Sequence, residues 1–320
     1  MKLARRQFLQ LAAGAALLPA CANAQAYPSR PVKIIVGQAA GSASDIVARL
    51  IAQFLSEKLG QQFLVEVRPG AAGNIATEAV THMPPDGYTL LLVNSQNAIN
   101  VALYEKLSFD FVRDIAPVGQ VESVPLVMEV HPSLPVKTIP EFIAYAKANP
   151  GKINYASVGS GAATNVAGEL FKAMAGVDLV NVPYRGNYLP DLLSGQVQAS
   201  FTPILQSLGY IKAGKLRALA VTGAARSQSL PDVPAAAEFV PGYEAYGWDA
   251  VGAPAKTPAE IIELLNKEIN AVLLDAMIKA QFASLGAEPM LMTPAEFGMH
   301  IASEIEKWGK VVKTARIKVD

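Results

Sequence analysis

Three loops concentrate the groups that could hold a small molecule. Gly37-Gln38-Ala39-Ala40-Gly41-Ser42-Ala43-Ser44-Asp45 is mostly short side chains, so its backbone N–H groups can come close to a ligand. Asp45 stands where a helix N-cap would. Asn94-Ser95-Gln96-Asn97 is a polar run directly after an apolar segment. Ser157-Val158-Gly159-Ser160-Gly161-Ala162-Ala163-Thr164-Asn165 offers hydroxyls and N–H groups where a helix should open. At such strand-to-helix junctions the free N–H groups and the helix dipole favour an anion. The chemistry on offer is reversible capture of an anion. The candidates are Gly41, Ser42, Ser44 and Asp45, then Asn94, Ser95 and Gln96, then Ser157, Ser160, Gly161, Thr164 and Asn165. A plain strand-to-helix turn or a Ser-rich cap would have the same composition. Gly159 and Gly161 lack the third glycine of a dinucleotide fingerprint. Tyr184 adds a ring and a hydroxyl after another apolar segment. Arg185 beside it could pair with a carboxylate, although a solvated charge is the simpler reading.

Bond-making machinery is scarce. The chain has no P-loop, no G-x-S-x-G, no H-E-x-x-H and no C-x-x-C. The loop serines lack a base, since His82, His131 and His300 all lie elsewhere. One cysteine and three histidines exclude a disulfide framework and leave little for a metal, so no cofactor is expected. Trp308 fits packing within a helix, and Trp248 fits either packing or a pocket wall.

The elements that must position these loops alternate along the chain. Val32–Val36, Phe63–Val67, Tyr88–Val93, Pro125–Val130, Asn154–Ser157, Leu179–Val182, Ala199–Phe201 and Arg217–Thr222 read as strands. Asp45 opens a helical pattern with Ile46, Val47, Leu50, Ile51, Phe54 and Leu55 on one face, ending at Gly60. A second helix is expected from about Ala162 to Ala175. Thr138 to Glu141, Thr257 to Glu260 and Thr293 to Glu296 read as capping boxes with Pro in the first turn or at its edge. This alternation predicts an α/β fold with mostly parallel sheets covered on both faces.

The ends of the chain differ in kind. Lys2, Arg5 and Arg6 precede an apolar stretch from Phe8 to Ala20 and small-residue cleavage options before residue 27, which is the pattern of an export signal. Arg5-Arg6-Gln7-Phe8-Leu9 suggests the twin-arginine route. The whole chain of 320 residues carries 27 basic and 27 acidic side chains. Cleavage after residue 26 would remove three basic groups and leave a net charge of −3. That balance argues against nucleic acid as a partner.

The remaining residues resemble the extracytoplasmic solute receptors of tripartite tricarboxylate transporters, the Bug receptors. The likeness rests on Tyr27-Pro28-Ser29-Arg30-Pro31-Val32, on Glu66-Val67-Arg68-Pro69-Gly70-Ala71-Ala72-Gly73-Asn74, and on Pro85-Asp86-Gly87-Tyr88-Thr89-Leu90. It continues through Val182-Pro183-Tyr184-Arg185-Gly186, Gly214 to Thr222, and Leu230-Pro231-Asp232-Val233-Pro234. The resemblance implies a type II-like periplasmic binding protein with two lobes and a ligand cleft between them. It places lobe one at residues 27–124 plus 223–320 and lobe two at 125–222. It implies a small carboxylate as ligand, closure of the lobes upon it, and delivery to membrane permease subunits from the periplasm. It also adds Asp191 to the candidate wall that Tyr184 and Gly186 form. Several positions depart from the family's pattern. Ser42 and Ala43 stand at usual glycine positions, Asn94-Ser95 replaces Gly-Thr, and Asn165 often is His. The segment Asn187–Pro190 is two residues shorter than usual, which should reshape one wall around Tyr188. A ligand sensor serving a signalling partner, or an exported serine hydrolase, are the competing functions.

Overall fold

The computed structural model describes residues 27–159, 161–184, 187–284 and 286–318. The expected export signal, residues 1–26, lies outside them.

The described chain opens with β1 (Val32–Val36), α1 (Ala43–Leu59), β2 (Phe63–Val67), α2 (Asn74–Thr81), β3 (Thr89–Asn94), α3 (Ser95–Leu103) and α4 (Phe111–Asp114). The long β4 (Ile115–Val130) leads into α5 (Ile139–Ala148), β5 (Asn154–Ser157), α6 (Ala163–Ala175) and β6 (Val180–Pro183). Then come α7 (Leu189–Ser194), β7 (Ala199–Pro203), α8 (Ile204–Lys212) and β8 (Arg217–Val221). The chain ends with β9 (Tyr246–Pro254), α9 (Ala259–Leu274), α10 (Ala276–Ser284), β10 (Glu288–Pro289) and α11 (Pro294–Ala315).

The strand order is β2-β1-β3-β9-β4-β7-β5-β6, with β8 and β10 also paired to β4. One strand therefore serves both lobes. β4 pairs with β9 from Ile115 to Pro125 and with β7 and β8 from Leu126 to Val130. Thr222 lies beside that change of partner: its N–H donates to the Leu126 carbonyl at 2.9 Å. Its hydroxyl accepts the Leu126 N–H at 3.0 Å.

The continuous apolar runs have a simple cause, since each sheet is covered on both faces. Val32, Ile34 and Val36 pack with α1 and α9, through Ile51, Leu55, Leu265 and Ile269. Ile35, Leu91 and Val93 point the other way, toward α2, Trp248, and Phe297 and Ile301 of α11. The second lobe's core gathers Met128, Phe142, Tyr155, Phe171 and Phe201, and reaches Trp308, Val311 and Val312 of α11. Residues 236–245 join that core through Val240 and Tyr243, whose hydroxyl donates to the Ala167 carbonyl at 3.0 Å.

The structure corrects several local expectations. Ser42, and not Asp45, caps α1, accepting the Asp45 N–H at 3.2 Å. Asp45 sits one turn in, where its negative charge still favours the helix N-terminus. Ile46 is exposed, because the buried stripe of α1 runs through Val47, Ala48, Ile51, Ala52 and Leu55. Thr257 is no cap: its hydroxyl donates back to the Pro254 carbonyl at 2.7 Å, and α9 starts from Pro258. Thr138 and Thr293 do cap α5 and α11. The sheets are mixed, because β4 runs antiparallel to β7, β8, β9 and β10. Gly60 closes α1 in the left-handed conformation, as expected.

Candidate functional site

A cavity of about 660 Å³ opens where the loops after β1, β3 and β5 meet the β4–β9 junction. Its described walls include Ser42, Ala43 and Ser44 of the first loop, Asn94, Ser95 and Gln96 of the second, and Ala162, Ala163 and Thr164 of the third. These residues begin α1, α3 and α6, and Pro203 at the start of α8 completes the ring. Several helix N-termini thus turn their free N–H groups and positive dipole ends toward one space.

Side-chain caps hold these loops in shape. The Asn94 side chain accepts the Gln96 N–H at 3.1 Å, while Asn97 accepts the Asn94 N–H at 2.9 Å. Asn97 donates on to Thr77 at 2.9 Å. Asn100 donates to Asn74 at 2.8 Å and accepts from Gln96 at 2.9 Å. The Thr164 hydroxyl accepts the Val158 N–H at 3.1 Å. Behind the first loop, Gly37 meets Gly73 backbone to backbone, and a Cβ on Gly37 would lie 2.8 Å from the Gly73 Cα.

Other candidates support the loops from behind. Gly41 donates its N–H to Asp45 at 2.8 Å, and Arg49 pairs with the same carboxylate at 3.0 Å. The two partners hold Asp45 below its ordinary pKa against the opposing effect of desolvation. Gly161 donates to Asn165 at 3.1 Å, and Asn165 donates to the Tyr155 hydroxyl at 3.3 Å. Ser157 is fully buried. Tyr184 and Asp191 form their own pair at 2.7 Å. Partial desolvation and the Asp191 carboxylate push the Tyr184 phenol up to about 12. Ser160 and Gly186 lie outside the described residues. Tyr188 is buried among Leu192, Val197 and Leu216, and shares a hydroxyl contact with Thr202 at 2.8 Å.

Trp248 lines the cavity, which is the pocket-wall alternative of its two expected roles, and residues that the sequence did not single out complete the wall. Gly70, Ala72 and Gly73 enter from the loop after β2, and Glu122, Trp248 and Asp249 from the paired β4 and β9. Ser44 donates its hydroxyl to Asp249 at 2.8 Å. The indole of Trp248 donates to the buried carboxylate of Glu304 at 3.1 Å.

A family model described as "Tripartite tricarboxylate transporter family receptor" matches residues 47–317. The chain belongs to that family of receptors. The Bordetella pertussis protein BugT is 37% identical over 302 residues, 93% of either chain. The solved structure of R. palustris Rpa4515 with adipate is 37% identical, with a TM-score of 0.78, over 92% of this chain and all of that one. MatC from Rhodopseudomonas palustris, solved with malate, is 30% identical with a TM-score of 0.74, over 89% of this chain and all of that one. The two-lobe α/β fold is theirs, and the receptor family is a solute-binding one. Among the described residues, no helix is long and apolar enough to cross a membrane.

Proposed function

We propose that this receptor captures a small carboxylate in the cavity between its lobes and presents the closed form to membrane permease subunits of a tripartite transporter. The convergence of the α1, α3 and α6 N-termini on one 660 Å³ space supports it most directly. In this reading the carboxylate takes the N–H groups of Ser44, Ser95 and Thr164 and the hydroxyls of Ser42, Ser95 and Thr164, since the Ser44 hydroxyl and the Ser42 N–H are already engaged. Gly41, Asp45, Gly161 and Asn165 fix the loops that carry them.

Residues 27–124 and 223–320 form one lobe in this proposal, and 125–222 the other. The hinge is the Leu126–Thr222 pair. Within those bounds segment 236–245 is the exception: the packing of Tyr243 argues that it travels with the second lobe. A ligand favours closure only by binding the closed form better than the open one. Residues 1–26 would direct export to the periplasm and be removed there.

A thermal-shift screen of mono-, di- and tricarboxylates, followed by calorimetry, tests the reading. A ligand at one hundred times its Kd should stabilise the fold by about 2.7 kcal/mol. Silence across the whole series, with Ser44→Ala and Thr164→Ala equally silent, overturns it. The membrane protein that co-purifies with the liganded form separates transport from sensing.

A further inference from the structure

The cavity has an acidic floor. Glu122 on β4 and Asp249 on β9 are direct register partners, beside an irregularity between Gln120 and Glu122. Both line the cavity, and they are only 1% and 4% exposed. They are the charged side chains of its described wall, which holds no lysine, arginine or histidine. One oxygen of Asp249 is engaged by Ser44. The Oε2 of Glu122 is buried with no hydrogen-bond partner among the described residues.

Glu122 lies in the cavity wall with no donor for its buried Oε2 except the neighbouring acid, so a donor brought by the ligand gains a partner there. Neighbouring carboxylates in such a place cannot both ionise freely, so they share a proton. Burial and the Asp249 charge push Glu122 well up, and burial pushes Asp249 up to about 6. Near neutral pH the pair then carries about one negative charge. A second ligand carboxylate placed there meets repulsion, whereas an ammonium meets open acceptors and displaces the shared proton. Two carboxylates and a hydroxyl fall short of the six or more oxygens that a hard divalent cation takes.

Among the described residues, no ion pair reaches either carboxylate. Asp45 of α1 is already engaged by Arg49. Gln120 donates its amide to the Glu122 carbonyl, and not to its carboxylate, at 3.3 Å. Glu288 of β10 is exposed, opposite Ser123. On α11, behind Trp248, Lys307 pairs with Glu304.

We propose that Glu122 and Asp249 form an ammonium subsite, so that this receptor takes an amino-carboxylate in preference to a dicarboxylate of equal length. The proposal rests on the reading of the cleft as a carboxylate site.

Calorimetry with matched probes tests it: 4-aminobutyrate against glutarate, and 5-aminopentanoate against adipate. The amino-carboxylate of at least one ω-matched pair should bind at least tenfold tighter. Repeating the titration in buffers of different ionisation enthalpy should show protons released with the amine and taken up with the dicarboxylate. Glu122→Gln, checked for folding by circular dichroism, should cut that preference at least tenfold. Dicarboxylates that bind as tightly as their amines, with an unchanged ratio in Glu122→Gln, overturn the subsite and leave the receptor reading standing. No binding by any probe overturns both.

Discussion

Glu304 should be the most costly single carboxylate to remove, and its loss should be visible from both lobes. It sits on α11 and is 3% exposed. Its Oε2 accepts the indole N–H of Trp248 at 3.1 Å and that of Trp308 at 2.8 Å. Lys307 pairs with its other oxygen. Trp248 belongs to the first lobe's core and Trp308 to the second's, so one carboxylate ties the two together.

Hydrogen bonds to a charged group are worth about 1.5–3 kcal/mol each, and a stranded buried donor costs a similar amount. Glu304→Ala removes two such bonds and strands two indole N–H groups that are 1–2% exposed. The Lys307 pair adds little, because the lysine side chain is 26% exposed. The expected loss is about 4 kcal/mol. Glu304→Gln keeps an oxygen for the indoles but turns an amide N–H toward the Lys307 ammonium, so about 2 kcal/mol is expected there. The chain's two tryptophans are the two residues concerned, so urea unfolding followed by indole fluorescence reports on the site itself. Glu306→Ala is the control, since Glu306 and its partner Lys310 are 70% and 75% exposed. If Glu304→Ala costs under about 1 kcal/mol, or no more than Glu306→Ala, the coupling argument is wrong.

Three further outcomes follow from packing and charge. Gly168→Ala should destabilise by about 1–3 kcal/mol in thermal melts, because its Cβ would stand 2.4 Å from the buried Tyr155 ring. Gly37→Ala should loosen the first cleft loop, with weaker ligand binding in calorimetry than its fold stability, by circular dichroism, would suggest. Glu129 is buried and its pKa raised by desolvation, against the Ser207, Thr202 and Ser200 hydroxyls. The native state therefore holds a proton that the unfolded chain releases above its ordinary carboxyl pKa, and that stabilisation is lost as pH rises through the raised value. Glu129→Gln should melt higher than the unaltered protein at pH 8, with the gap closing by pH 4; a constant gap would count against it.

What the sequence showed depended on how regular each element is. The three loops were legible because each places small or polar residues directly after an apolar strand. The α1, α6 and α11 boundaries followed from Gly60, Ala162 and Thr293. Glu122 and Asp249 were missed because their strands break the rules for recognising strands. Ile115 to Pro125 contains Pro117, Gly119 and Pro125, with irregular register on both sides of Gln120. Tyr246 to Pro254 contains Gly247 and Gly252, and Gly252 is needed because its Cβ would lie 2.8 Å from the Ile115 side chain. Both segments read as broken chain and are in fact the centre of the sheet. The usable signal was an isolated acid inside an apolar run, Val121-Glu122-Ser123-Val124 and Trp248-Asp249-Ala250-Val251. The cap of α1 was misassigned for a different reason. Ser42, Ser44 and Asp45 are all good caps, and only the turn at Gly41, with φ of 79°, decides among them.

Two glutamates on β4 show how burial separates structure from function. Glu129 and Glu122 lie seven positions apart and are almost equally buried. Burial raises both, since a desolvated carboxylate favours its neutral form. Their neighbours differ. Glu129 receives the hydroxyls of Ser200 at 2.9 Å and Ser207 at 2.6 Å, within a wall of the second lobe. Glu122 faces another acid across the strand pair and opens on the cavity. The first carboxylate receives both hydroxyls on one oxygen and leaves the other without a partner, but it lies away from the cavity, so replacing it with an amide should leave binding unchanged. The second has only the proton it shares with Asp249, and it lies in the wall that lobe closure would seal. A carboxylate left short of donors at that position costs stability in the empty protein, and a ligand that brings the donor recovers it. The same residue can therefore weaken the unliganded fold and sharpen the choice of ligand.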